Sequence, residues 1–123
     1  MRVPIKYALY QGLTDYRTVL TDDLDKIKNT EFGEFNIKRF PIINVANKVI
    51  SEKGTLGAIF NASNEEAVKA FLNHQIPFLA IEKIIEACMQ KEPNIKSPNY
   101  EQLREADLQT RSLVKQMIMK GEY

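Results

Sequence analysis

Few residues in this sequence carry side chains suited to an active site. There is one cysteine, Cys88, and one histidine, His74. A Cys–His nucleophile pair is formally available, whereas an internal disulfide and a multi-cysteine zinc site are not. Cys88 falls on an apolar helical stripe, where thiols are buried and inert, and His74 sits at the surface in the polar connection Asn73-His74-Gln75. Gly54-Thr55-Leu56-Gly57 is a poor relative of a phosphate loop, since no Lys-Ser/Thr follows and no strand precedes it; it reads as a helix stop and restart. Glu65 and Glu66 offer paired carboxylates for acid–base work. Neighbours on a helix diverge by about 100°, and acidic residues favour a helix's first turn, so the pair reads as capping groups.

The elements that must position these groups are helices. After a mixed opening, residues 3–10 suit a short helix with Pro4 in its first turn, and residues 31–35 alternate weakly as a short strand without a convincing partner. From Phe40 the helical period is clear. Ile42, Ile43, Ala46, Val49 and Ile50 form one stripe, stopped by Gly54, and residues 55–60 suit one or two turns. Asn61-Ala62-Ser63-Asn64-Glu65 reads as a helix junction. A new helix is expected from Ser63, with Ser63 and Glu66 as a capping box. Pro77, near an N1 position, opens a third stripe of Phe78, Ile81, Ile84, Ile85 and Cys88. The last helix runs from about Asn99 to Lys120 with Leu103, Ala106, Leu113, Val114, Met117 and Ile118 inward, and Gly121 stops it. Its Arg104, Arg111, Lys115 and Lys120 alternate with Glu101, Glu105 and Asp107, which is the pattern of a solvated face. Four amphipathic helices with short connections pack most simply as a bundle.

Size and composition agree with a small globular fold and narrow the functions available to it. The 123 residues are 44% hydrophobic and 27% charged, enough for one core without staples. Seventeen basic against sixteen acidic residues leave a net charge of +1, without the basic footprint of a nucleic-acid or anionic-membrane binder. A helix-turn-helix reader is disfavoured for the same reason. No apolar run is long enough to span a membrane, and no signal-peptide core is expected at the N-terminus.

Several motifs resemble one family. Residues 60–72 look like the "LNAANE-x-AV-x-AFL" signature near the C-terminus of 1-deoxy-D-xylulose-5-phosphate reductoisomerase, an isoprenoid-pathway enzyme. Residues 1–9 are similar to its "MR-x-PI-x-YAL" segment and Arg39-Phe40-Pro41 to its "RFP/RYP" element. Ile76-Pro77-Phe78 with Ile81 matches "I-x-F-x-x-I", and Asp107 with Arg111 matches its Asp-x-x-x-Arg pair. Order and spacing hold along the chain. The departures are Phe60 for a usual Leu, Ser63 for a usual Ala, and Gln11-Gly12 where Trp-Pro or Tyr-Pro is usual.

The resemblance implies a mainly α architecture: a C-terminal four-helix bundle in residues 40–123. Before it, residues 1–39 would be an irregular linker and the helix/strand remnant of an α/β catalytic domain. It implies that the chain is the C-terminal portion of a cytoplasmic, homodimeric enzyme whose partners are its own N-terminal and central domains, with no nucleic acid or membrane. That enzyme uses NADPH and Mg2+ or Mn2+ to convert 1-deoxy-D-xylulose 5-phosphate to 2-C-methyl-D-erythritol 4-phosphate. The glycine-rich nucleotide loop, metal ligands, phosphate-binding residues and mobile flap have no counterpart here, so this segment is expected to be structural and inactive alone, with no catalytic or metal-binding residue. Met1 alone matches a family position near the nicotinamide and substrate. The rival reading is a free-standing helical protein-interaction module.

Overall fold

The computed structural model describes Ile5, Ala8, Leu9, Glu31 and residues 33–123. The chain divides into two compact units, Met1–Phe35 and Asn36–Tyr123. In the first, Ile5, Ala8 and Leu9 are helical, and the rest of the expected opening helix lies outside the described residues. The strand expected at 31–35 does not form at Glu31, Gly33, Glu34 or Phe35. Among the described residues there is no strand for it to pair with, and a lone strand has no ladder to complete its backbone hydrogen bonds.

The second unit contains four helices: α1 (Ile42–Glu52), α2 (Leu56–Leu72), α3 (Ala80–Lys91) and α4 (Tyr100–Lys120). α2 is central. α3 and α4 pack extensively against it, whereas the α1–α2 and α3–α4 contacts are slighter. Side chains of Ile59, Ile84, Ile85 and Val114 are fully buried where these helices meet. α1 presents Ile42, Val45 and Val49 to this core but buries no residue fully. Ile43 and Ile50, expected inward, are exposed, because only one edge of the Ile/Val stripe faces α2.

α2 runs unbroken through residues 61–64, so the junction and the capping box expected at Ser63 are not there. Neither proline nor glycine interrupts the chain between Gly57 and Leu72. The polar side chains instead bond within the helix. Ser63 Oγ donates back to the carbonyls of Ile59 (2.8 Å) and Phe60 (3.0 Å), and Asn61 Nδ2 donates to Glu65 Oε1 one turn on (3.2 Å). Buried Ala62, Ser63, Ala67 and Ala70 are small, and so allow α3 and α4 to approach the α2 backbone. His74 then takes φ 58°, its N–H donating to Phe71 O and that of Gln75 to Ala70 O, which closes the helix in a Schellman motif.

α3 begins later than the spacing predicts. Pro77-Phe78-Leu79 form a turn whose Pro77 and Phe78 carbonyls accept from the N–H groups of Ala80 and Ile81. Phe78 and Leu79 therefore stand outside the core, exposed. The capping box is found at α4: Asn99 Oδ1 accepts from Gln102 N–H (2.8 Å), and Gln102 Oε1 accepts from Asn99 N–H (2.9 Å). Pro98 before Asn99 cannot continue a helix backwards, which favours the cap at this point.

Candidate functional site

The densest charged cluster among the described residues joins α2 to α4. Arg111, at the middle of α4, reaches three carboxylates. Its Nε and Nη2 donate to Asp107 Oδ2 (2.8 Å) and Oδ1 (3.0 Å), a bidentate pair within α4. The same Nη2 donates to Glu65 Oε2 (2.7 Å), and Nη1 to Glu66 Oε1 (3.3 Å), both across the helix interface. The guanidinium bridges Glu65 and Glu66 from the side, using the divergence of adjacent helical residues as the two jaws of a clamp. Hydrogen bonds from Arg111, and then from Asn61, hold the Glu65 carboxyl below its ordinary 4.5. Asp107 first, and Glu65 next, hold the Arg111 guanidinium above its ordinary value.

Every member of this cluster is committed to another. An always-charged guanidinium cannot accept a proton, and the carboxylate oxygens it binds are occupied acceptors rather than free bases. Among the described residues no three His, Cys, Asp or Glu side chains form a group able to hold a metal ion. Glu65, Glu66 and Asp107 converge on Arg111, whose N–H groups take the place a cation would need. The arrangement is thus suited to fixing the angle between two helices, not to moving protons.

A second polar node fastens the α1–α2 junction to the loop before α4. Buried Thr55 donates from its N–H to Ile95 O and Asn94 Oδ1, both at 3.1 Å. Its Oγ1 donates to Pro93 O (3.2 Å) and accepts from Ile95 N–H (3.0 Å). Gly54 precedes it at φ +72°, and Lys53 at φ 56° is a second left-handed residue.

The structure scatters the other residues singled out in the sequence. Glu65 and Glu66 sit mid-helix in α2 rather than in a first turn. Arg111 belongs to the interface instead of the solvated face; its four-residue spacing from Asp107 signalled the pair within α4 but not the reach to α2. Cys88 is fully buried in α3, and burial pushes its thiol up to about 11, which keeps it protonated at neutral pH. His74 is exposed at the end of α2, remote in sequence from Cys88 and serving the turn. Met1 lies outside the described residues. Thr55, Asn94 and Gly54 were missed as a unit because their partners are some forty positions apart.

Four helices, an alanine-rich central helix and one charged clamp define a small helical domain. The chain belongs to the family of the DXP reductoisomerase C-terminal domain, whose family model matches residues 1–113. Among its curated relatives are proteins named 1-deoxy-D-xylulose 5-phosphate reductoisomerase. The one from Geobacillus sp. (strain WCH70) is 35% identical over 119 residues, covering 96% of this chain and 31% of the relative. The one from Paraburkholderia xenovorans (strain LB400) is 35% identical over 120 residues, covering 98% of this chain and 30% of the relative. The chain thus spans about a third of the length of the relatives it matches. Among the described residues no helix is long and apolar enough to cross a membrane.

Proposed function

We propose that this chain is the C-terminal, structural part of a 1-deoxy-D-xylulose 5-phosphate reductoisomerase. The observation that carries the reading is its in-register similarity to such enzymes over nearly its whole length, combined with a charged cluster wholly consumed in holding α2 to α4. On this reading residues 1–39 are the end of the central catalytic domain with the linker that crosses from it, and residues 40–123 brace that domain. The complete enzyme isomerises and reduces 1-deoxy-D-xylulose 5-phosphate to 2-C-methyl-D-erythritol 4-phosphate as a homodimer. NADPH supplies the hydride and a divalent ion the Lewis acid, both held upstream of this segment. The described residues do not fit the metal, since their clustered carboxylates already serve Arg111, and no catalytic step is assigned to them. By the family resemblance, Met1 is the one position proposed to approach the nicotinamide and substrate, and only in the complete enzyme.

The test is an exchange enzyme, in which this chain replaces the matched C-terminal portion of the Geobacillus reductoisomerase. The exchange enzyme is expected to consume NADPH with deoxyxylulose phosphate, and the relative truncated before the match is expected not to. An inactive, folded exchange enzyme, or full activity in the truncated one, would reject the reading.

A further inference from the structure

The surface between the start of α1, the middle of α2 and the start of α3 forms an apolar groove of about 560 Å3, lined by Val68, Phe78, Leu79, Ile81 and Ile85 with Glu82 among them. Two features separate it from an ordinary patch of exposed side chains. Phe78 is 66% exposed and Leu79 72%, yet Phe78 is held in place by an edge-on contact with Phe71 (ring centroids 5.6 Å, planes at 70°). An exposed aromatic ring held by its neighbour presents contact area with little entropy left to lose. In the same groove Glu82 Oε1 is shielded from solvent and has no hydrogen-bond partner among the described residues. A buried acceptor left unpaired is costly, so such groups are normally satisfied when the native assembly is complete.

We propose that this groove is the docking face for the upstream part of the reductoisomerase chain, receiving an apolar segment that brings one N–H or cationic donor to Glu82 Oε1. The proposal rests on the reading that this chain is the C-terminal part of that enzyme. Two observations favour this occupant. About two thirds of the Geobacillus relative lies outside the match, which is ample chain to cover the groove. The groove is also not purely apolar: a carboxylate lies within it and Arg39 on its rim, so it favours a partner that answers charge as well as shape over unspecific apolar association.

Thiol labelling tests this directly, because Cys88 is fully buried and a new surface thiol reports alone within this segment. Leu79→Cys and Phe78→Cys probe the groove, and Ser112→Cys on the exposed side of α4 is the control. Each is labelled with iodoacetamide in the 123-residue chain and in the exchange enzyme, and read by peptide mass spectrometry. The groove thiols are expected to react at least about tenfold more slowly in the exchange enzyme, with Ser112→Cys unchanged, since reactivity follows access. Equal rates in both proteins would overturn the proposal. So would slow labelling already present in the 123-residue chain, or slowing that grows with its concentration, which would assign the groove to the chain itself or to a second copy. Turnover separates the two readings. An active enzyme with unprotected groove thiols rejects the docking face alone, whereas protection in an inactive enzyme rejects the catalytic reading alone.

Discussion

Two glycines three positions apart should answer the same substitution with opposite signs. At Gly54 the backbone has φ +72°, which an L side chain tolerates at a cost of about 1–2 kcal/mol. A Cβ there would also collide with Asn94 Oδ1 and lie 2.5 Å from the Ile95 carbonyl oxygen. Both atoms accept from the N–H of buried Thr55, so the loop at 93–95 can retreat only by breaking that node. Losing two such hydrogen bonds adds about 0.5–1.5 kcal/mol each. Gly54→Ala should therefore cost about 2–5 kcal/mol. Gly57 lies within exposed helical backbone with no atom of the described residues near its would-be Cβ. Gly57→Ala should gain about 0.5–1 kcal/mol from helix propensity and reduced freedom of the unfolded chain. Urea unfolding followed by circular dichroism reads both. With an m-value of about 2 kcal/mol/M, the Gly54→Ala midpoint should fall by about 1–2.5 M while the Gly57→Ala midpoint rises by a few tenths. A loss below about 1 kcal/mol for Gly54→Ala, or the same sign for both, would refute the role given to the Thr55 node.

Lys53→Gly should stabilise the chain by about 1 kcal/mol, because Lys53 holds φ 56° and ψ −147°, a region natural to glycine; a measured loss would show that its side chain is needed. Arg111→Ala should cost about 2–3 kcal/mol in urea unfolding. Most of that comes from stranding Glu66, whose side chain is only 13% exposed, with a few tenths from the pair with Asp107. A cost under about 0.5 kcal/mol would place the clamp among inert surface pairs. The Glu65 carboxyl titrates below its ordinary 4.5 when folded, so the folded state binds its proton less readily than the unfolded chain. Its contribution is thus fully present above about pH 5 and lost as pH falls from there through the lowered folded value. Acid unfolding of wild type and Glu65→Gln should differ in that window, and identical profiles would remove Glu65 from the clamp.

The sequence was legible where periodicity and punctuation agree. α4 shows both, with Pro98-Asn99 before it, Gln102 to complete the cap and Gly121 after it, and its buried Val114 and Met117 lie on the expected stripe. Where punctuation was inferred from polar side chains alone, the reading failed. Ser63 and Glu66 have capping-box spacing, but a serine hydroxyl serves equally well bonded back to the preceding turn, and only tertiary packing of the small α2 face decides between the two. Phe78 fits the apolar spacing of α3 yet precedes the helix, because the turn at Pro77 sets its direction. Arg111 looked like one cation among many. Its place is set by the contact between α2 and α4, a long-range fact that no local pattern contains.

On the proposed reading this segment serves catalysis only through its fold, and Arg111→Ala in the exchange enzyme separates fold from chemistry. The measurement is kcat and KM for NADPH-dependent turnover, taken well below the melting temperature alongside the melting temperature itself. A lowered melting temperature with kcat and KM unchanged within about twofold is expected. A fall in kcat of about tenfold or more, with the melting temperature unchanged, would contradict it and place Arg111 in the chemistry.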